Sequence, residues 1–238
     1  MNTREILLTG LAGMAWIALA MPLDSRSEAA DLVAINILAV PDASMRDRAR
    51  ELNEQLQQFQ PQPFALDETH TPHISVLHRF VATKDLPKIV AAVEGVSARH
   101  RLAGAKLETA GLEHSAWGEA EVVSIKVEKT PELAALQADL VAALRPFAAP
   151  SGGPDAFVTS PGPPEIDAKT LEYVQTFEQK QTGERFEPHI TAGEISRTAK
   201  DELPPFPHTT FSIETLAIYQ LGNIGTARKE LWRAAPAR

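Results

Sequence analysis

The chain has 238 residues, of which 44% are hydrophobic and 23% are charged, so it is long enough to bury the core of an ordinary globular protein. Its formal net charge of −8 excludes broad binding to nucleic acid through a basic surface, but a small phosphorylated ligand needs only a few local donors. The absence of cysteine excludes disulfides, lipoprotein attachment, thiol catalysis and cysteine-ligated metals.

The first 29 residues are predicted to be a signal peptide. An apolar stretch at 6–23 follows Arg4, and Ser27-Glu28-Ala29 places small residues where a signal peptidase cleaves after Ala29. Glu5 offsets the charge of Arg4, and about 18 apolar residues could just span a bilayer, so an uncleaved anchor is the alternative. The expected location is therefore periplasmic or secreted, or membrane-anchored and facing the periplasm.

The rest of the chain, 30–238, is predicted to be one domain in which strands and helices alternate. Asp31–Val40 is an apolar run typical of a strand, Ser44 is the expected N-cap of a helix with an apolar stripe from Met45 to Phe59, and Thr130 is the expected N-cap of another. In chain order, further elements are predicted as a strand at 71–81, a helix at 85–96, strands at 107–112 and 121–127, helices at 130–144 and 165–181, and strands at 187–195, 210–221 and 230–233. The stretch 148–164 is rich in Pro, Gly and Ser and is predicted to be a loop.

A four-residue motif occurs twice. Pro72-His73-Ile74-Ser75 recurs as Pro188-His189-Ile190-Thr191, 116 positions later. Because side chains at i and i+2 of a strand point to the same face, each copy is expected to present an imidazole beside a hydroxyl, with the isoleucine packed on the other face. The repeat therefore predicts two related lobes, each of which contributes one motif strand to a shared cleft.

Two other chemistries fit these residues less well. A zinc site needs three or four protein ligands, whereas each histidine here is followed by a hydroxyl, which binds zinc poorly. A serine-hydrolase triad needs one nucleophile, one base and one orienting acid, and the chain lacks Gly-x-Ser-x-Gly. We therefore expect no metal and no cofactor at this site.

In-line displacement at phosphorus is the chemistry that suits two such pairs. One neutral histidine would remove a proton from the attacking water or alcohol, and the other, as imidazolium, would protonate the leaving oxygen. Ser75 and Thr191 would donate hydrogen bonds to the non-bridging oxygens and stabilise the charge that develops there. A ligand-binding module that uses the same cleft without turnover is the alternative, and a structural protein in which the motifs merely pack is a third.

At these residues the chain resembles the 2H phosphoesterase superfamily, whose hallmark is two His-hydrophobic-Ser/Thr-hydrophobic motifs, as in 2′,5′ RNA ligase (LigT)-like proteins and cyclic nucleotide phosphodiesterases. Here the motifs read 73–76, His-Ile-Ser-Val, and 189–192, His-Ile-Thr-Ala, the second ending in a weak hydrophobe. The resemblance implies an α+β, bilobal fold with a pseudo-twofold axis, in which antiparallel-rich sheet and flanking helices surround a central cleft.

The resemblance also implies metal-independent chemistry on 2′,3′-cyclic phosphates, 2′,5′-linked oligonucleotides or ADP-ribose cyclic phosphates. His73 and His189 would be catalytic, and Ser75 and Thr191 would bind phosphate. A small nucleotide or short oligonucleotide is the expected substrate, no large nucleic acid is expected as a partner, and a monomer is expected. An export signal departs from intracellular RNA-processing members and favours hydrolysis of small nucleotides over ligation.

Four further residues outside the motifs could contact either the substrate or the core. Arg79 could approach phosphate from the end of its strand, although a solvated strand end is the plainer interpretation. Tyr173 could stack on a base, although its helical spacing with Phe177 also suits core packing. His78 lies five residues after His73 and would point to the opposite face of a regular strand.

Overall fold

The computed structural model describes residues 31–59, 65–67, 70–100, 102, 104–118, 120–159, 165–196, 203 and 205–235. The predicted signal peptide lies outside these residues. No helix within the described ranges is long and apolar enough to span a membrane.

The described residues form an α+β fold, as predicted. In chain order the elements are β1 (Leu32–Pro41), α1 (Ala43–Leu56), β2 (Ile74–Ala82), α2 (Leu86–His100), β3 (Lys106–Trp117), β4 (Ala120–Val127), α3 (Pro131–Leu144), α4 (Ala168–Lys180), β5 (His189–Ser196), β6 (Thr210–Leu221) and β7 (Ala227–Arg233). The order of types matches the prediction, and the largest differences in bounds are at β3, which continues to Trp117, and α2, which continues to His100.

Helix starts follow capping chemistry. Asp42, and not the predicted Ser44, caps α1, because its carboxylate accepts the backbone N–H of Met45 at 3.0 Å and thereby satisfies a free donor of the first turn. Thr130 caps α3 as predicted, with Pro131 at the first helical position. Asp167 caps α4, which begins three residues later than the predicted 165.

The seven strands of the described chain form one antiparallel sheet in the order β1-β2-β5-β4-β3-β6-β7, and β6 also pairs with β1. The motif strands β2 and β5 are neighbours, joined where Ile74 lies opposite Ile190. Within the sheet, β1-α1-β2 and the strand pair β4 and β5 with α3 are comparable units, because each is an antiparallel strand pair followed across its connection by a packed helix; the connection from β4 to β5 contains α4 as well as α3. The division into two lobes about a pseudo-twofold axis stays a prediction.

Alternation along the strands separates an apolar face from a polar one. The largest core cluster joins strand residues such as Ile35, Ile74 and Ile190 with the apolar stripes of α1, α2 and α3. In α1 that stripe consists of Met45, Ala49, Leu52 and Leu56, as the helical spacing predicts. The helices therefore cover one face of the motif strands and leave the other face for the cleft.

The segment after α3 is predicted to be a loop, and it contributes to a second core cluster. Phe157 packs edge-on against Phe80 at a centroid distance of 5.7 Å, in a cluster that also holds Val174 of α4. Ala149 forms an isolated bridge with Phe80. These contacts hold α4 against β2, and α4 in turn forms one wall of the cleft.

Candidate active site

The two copies of the motif meet in one cleft. In the antiparallel pair of β2 and β5, Ile74 faces Ile190, so His73 and His189 each precede the paired residue and are related by a local twofold rotation. Both isoleucines are fully buried. The cleft has a volume of about 210 Å³, and its lining includes the four predicted site residues His73, Ser75, His189 and Thr191.

Each motif strand contains a bulge at the residue that directly follows the motif hydroxyl. On β2, Ser75 pairs with Leu38 and Leu77 with Ile37, so Val76 is an extra residue. On β5, Thr191 pairs with Ser124 and Gly193 with Val123, so Ala192 is the extra residue. The repeated motif thus corresponds to a repeated irregularity of the backbone, directly after the hydroxyl residue.

Two buried amide side chains stabilise these bulges from the helix side. Gln137 of α3 donates through Nε2 to the carbonyl oxygen of Val76 at 3.0 Å. Asn53 of α1 donates through Nδ2 to the carbonyl oxygen of Ala192 at 2.8 Å. Both amides are at most 3% exposed, so each supplies a partner to a buried carbonyl that would otherwise lack one.

The bulges change which residues face the cleft. His78 is predicted to point away from Ser75, and this prediction is wrong, because the extra residue Val76 reverses the alternation after it. His78 lines the cleft, and its Nε2 lies 3.1 Å from Ser75 Oγ. Glu194 occupies the equivalent position on β5 and also lines the cleft.

The same shift changes the face on which Arg79 lies. In a regular strand it would share a face with His73 and Ser75, but beyond the bulge it lies on the opposite side from His78. Arg79 is 4% exposed and pairs with Glu178 of α4. The alternative of a solvated strand end is therefore incorrect, whereas the suggestion that Arg79 approaches phosphate stays a prediction.

Both catalytic candidates are oriented by the backbone. Nδ1 of His73 donates to the carbonyl oxygen of Thr71 at 2.7 Å, and Nδ1 of His189 donates to that of Glu187 at 2.8 Å. A carbonyl can only accept, so each neutral ring carries its proton on Nδ1 and an acceptor lone pair on Nε2. The two sites therefore use the same tautomer and leave the same nitrogen for chemistry.

A polar network lies behind His73. Asn36 of β1, which is fully buried, donates through Nδ2 to Ser75 Oγ at 2.9 Å and to His73 Nε2 at 3.2 Å. His78 contacts the same Ser75 hydroxyl, so both protein partners of Ser75 come from the Asn36–His78 pair of β1 and β2. Nothing in the sequence motif indicates Asn36, but an asparagine within an apolar strand is the signal that could have found it.

Burial sets the protonation of this half of the cleft. It lowers the pKa of His73 to about 4, and repulsion from His189 adds to the effect, which the hydrogen bond to Thr71 partly opposes. As a whole residue His73 is half-buried, and it lines the cleft. Burial also lowers the pKa of His78 well below its usual value, again with repulsion from His73 and His189. Both rings are neutral at pH 7.

Aromatic side chains form one wall. Tyr173 lines the cleft and packs edge-on against His78 at 5.2 Å and against Trp117 at 5.9 Å. Burial raises the pKa of Tyr173 to about 12, so the phenol is neutral. Phe177, which is 2% exposed, stacks on His78 at 4.5 Å, so it is a core residue as its spacing suggests.

The opposite side of the cleft is polar and carries residues that the sequence did not single out. Glu113 of β3 lies opposite Ser124 of β4, which lies opposite Thr191, so the three form a row across the sheet. All three line the cleft, and one carboxylate oxygen of Glu113 is buried without a hydrogen-bond partner among the described residues. Across the described ranges, no three His, Asp or Glu side chains come together in a way that could hold a metal ion.

Two solved structures are similar to this chain, and the first of them supports this architecture. The crystal structure of TT0787 of Thermus thermophilus is similar with a TM-score of 0.53 at 15% identity, covering 84% of this chain and 96% of that one. E. coli LigT complexed with 3′-AMP gives a TM-score of 0.49 at 14% identity, covering 87% of this chain and 99% of that one. No match is found among curated protein sequences.

A family model extends the agreement from fold to sequence. The model described as the 2′-5′ RNA ligase superfamily matches residues 41–223, which include both motifs and most of the chain. The resemblance to 2H phosphoesterases that the two motifs indicate is thereby confirmed. The chain belongs to the 2′-5′ RNA ligase superfamily.

Proposed function

We propose that this protein is a metal-independent phosphodiesterase that hydrolyses a cyclic phosphate or a 2′,5′-linked nucleotide through its two histidines. The observation that carries the proposal is the pair of imidazoles on one cleft, each fixed through Nδ1 to a backbone carbonyl and each two residues from a hydroxyl. Membership of the superfamily supports phosphoester chemistry in general. The choice of hydrolysis over ligation is part of the proposal.

Different environments suggest different roles for the two histidines. A pKa of about 4 keeps His73 unprotonated at neutral pH, with its Nε2 lone pair ready to accept a proton from water. We therefore assign the general base to His73, which leaves His189 as the general acid for the leaving oxygen. Ser75 and Thr191 would donate to the non-bridging oxygens, where negative charge develops.

The nucleoside would lie toward the aromatic wall. Tyr173 and Trp117 present ring surface on the cleft, and stacking on such rings is tolerant of base identity. The proposed substrate is a small nucleotide or a short oligonucleotide that acts without a cofactor. Export of a monomeric protein to the periplasm remains part of the proposal, and the N-terminal sequence of protein recovered from the periplasm would test it.

A non-catalytic binding module is the second candidate, because one observation favours it. A base with a pKa of about 4 attracts a proton only weakly, which reduces its power in general base catalysis at pH 7. Such a protein would bind a phosphorylated nucleotide in the same cleft and release it unchanged.

The deciding experiment is turnover in EDTA of a panel of 2′,3′-cyclic nucleotides, 2′,5′-oligoadenylate and ADP-ribose 1″,2″-cyclic phosphate. We expect hydrolysis of at least one compound by the wild type, and a loss of kcat of at least about 100-fold in His73→Ala and His189→Ala. His208→Ala is the matched control, because His208 is 64% exposed and pairs with Glu108 away from the cleft. Full activity in either cleft variant would refute the mechanism, whereas binding without turnover by the wild type would favour the second candidate.

A further inference from the structure

The Ser75 hydroxyl has more protein donors than its counterpart Thr191 has at the equivalent positions. Asn36 donates to Ser75 Oγ, and His78 Nε2 lies within hydrogen-bond distance of the same atom. The residues equivalent to Asn36 and His78 in the other unit are Val122 and Glu194, as the strand registers define. Valine cannot donate, and a carboxylate only accepts, so the two halves of the cleft are chemically different despite the repeated motif.

The tautomer of His78 follows from its surroundings. Its Nδ1 is buried and has no hydrogen-bond partner among the described residues, whereas Nε2 faces Ser75. A proton on Nδ1 would leave a buried N–H without an acceptor, and such orphans are rarer than unpaired acceptors. The proton therefore lies on Nε2, and His78 donates to Ser75 Oγ.

The orientation of the Asn36 amide follows from His73. Because Nδ1 of His73 donates to Thr71, its Nε2 carries a lone pair, which requires a donor opposite it. The amide nitrogen of Asn36 supplies that donor, so a reversed amide would place two acceptors against each other. The 3.2 Å contact with His73 is longer than the 2.9 Å contact with Ser75, and it is the contact that an attacking water would replace.

We propose that Asn36 and His78 are positioning residues that together fix the Ser75 hydroxyl as a hydrogen-bond donor to the substrate phosphate. A hydroxyl oxygen has two lone pairs, and the two residues occupy both. The single hydroxyl hydrogen is then directed away from them, toward the cleft that Ser75 lines. Asn36 also holds His73 in its base form. This inference rests on the proposed function and specifies which half of the site is prepared before the substrate arrives.

Other ionisable groups border this network. Facing His73 across the same cleft are imidazoles and carboxylates from several elements: His70, His78, Glu113, Glu187, His189 and Glu194. Arg228 donates to His70 at 2.6 Å, which adds a positive charge near the cleft. Within this set, His78 is the group that lies at hydrogen-bond distance from Ser75 Oγ.

A double-mutant cycle tests the role of His78. We expect His78→Leu to lower kcat for the best substrate of the panel about tenfold, and to have no further effect in a Ser75→Ala background. His78→Gln, whose Nε2 can replace that of the imidazole, should recover most of the loss. An equal effect in both backgrounds, or a glutamine variant as weak as the leucine variant, would overturn the proposal. Thermal melting confirms that each variant is folded.

The role of Asn36 is tested without turnover. Asn36→Asp places a carboxylate beside His73 Nε2, so we expect the His73 imidazole to titrate at least about one pH unit higher by NMR. An unchanged titration would contradict the contact. If the wild type hydrolyses nothing on the panel, the His78 cycle is measured instead as the affinity for 2′-AMP and 3′-AMP by calorimetry. A wild type that hydrolyses nothing, together with a cycle in which the effect of His78→Leu disappears in the Ser75→Ala background, would refute the proposed function alone. A cycle in which the two effects are additive would refute this inference alone.

Discussion

Gln137 offers the sharpest test of whether the helix-covered face of the sheet positions the residues of the cleft on the opposite face. Its amide makes three hydrogen bonds of 3.0 Å, to the carbonyl oxygens of Val76 and Gln181 and from the backbone N–H of Gly183. Gln137→Met keeps the side-chain length and removes all three. The carbonyl of Val76 then lies buried without a donor, while the other two groups are close enough to the surface to regain water.

The expected cost follows from that difference. An unpaired buried carbonyl costs about 1 to 3 kcal/mol, and each of the two half-buried groups costs about 0.5 to 1 kcal/mol, so the free energy of unfolding should fall by about 2 to 5 kcal/mol. Because the Val76 bulge aligns Ser75 with His78, kcat should fall as well. Urea unfolding followed by circular dichroism, together with turnover of the best substrate, measures both effects.

Ala138→Met is the matched control. It introduces the same side chain on the exposed side of the same helix, where a change within about 0.5 kcal/mol is expected. If the free energy of unfolding of Gln137→Met lies within about 1 kcal/mol of the wild-type value and kcat is unchanged, the bulge does not depend on the amide. The helix face would then have no control over the cleft.

Three further outcomes are expected at the site. The pKa values of His73 and His78 are lower in the folded protein than in the unfolded chain, so the unfolded state binds more protons in acid. The free energy of unfolding should therefore decrease as the pH falls from about 6.5 toward 4, and it should decrease less steeply in His78→Gln. Urea unfolding at several pH values measures this dependence, and the same dependence in His78→Gln as in the wild type would count against the burial argument. Tyr173→Ala should raise KM more than it lowers kcat if the ring stacks on the base, and steady-state kinetics separate the two parameters. Arg79→Met should leave kcat within about twofold, because Arg79 pairs with Glu178 outside the cleft, and a large loss of activity would return Arg79 to the site.

The local elements could be predicted from the sequence because each depends on neighbours in the chain. The apolar stripe of α1 and the Thr130 cap of α3 both follow from spacing alone, and the repeated motif indicates the four cleft residues that share it. Even there, Asp42 and Ser44 are both good caps, and the choice depends on the backbone that enters the helix. Asp42 also accepts the N–H of Ser212 from β6 at 2.7 Å, a contact that no local pattern contains.

The positions of His78 and Arg79 could not be predicted because they depend on strand register. A bulge is defined by how a strand pairs with its neighbour, and β2 pairs with β1 and β5. Both of these strands are distant from the first motif in the sequence. The extra residue Val76 exchanges the faces of every later residue on β2. Asn53 and Gln137 were the available signals, since each places an amide within the buried face of an otherwise apolar helix stripe.

The two bulges are supported crosswise, so each motif strand depends on the helix of the other unit. The helix of the β1-α1-β2 unit supplies Asn53 to the bulge of β5, and the helix of the β4-α3-β5 unit supplies Gln137 to the bulge of β2. One unit alone would hold a bulge carbonyl without its donor and an amide without its acceptor. Each unit therefore completes a buried hydrogen bond of the other, so neither motif strand is fully supported by the helix of its own unit.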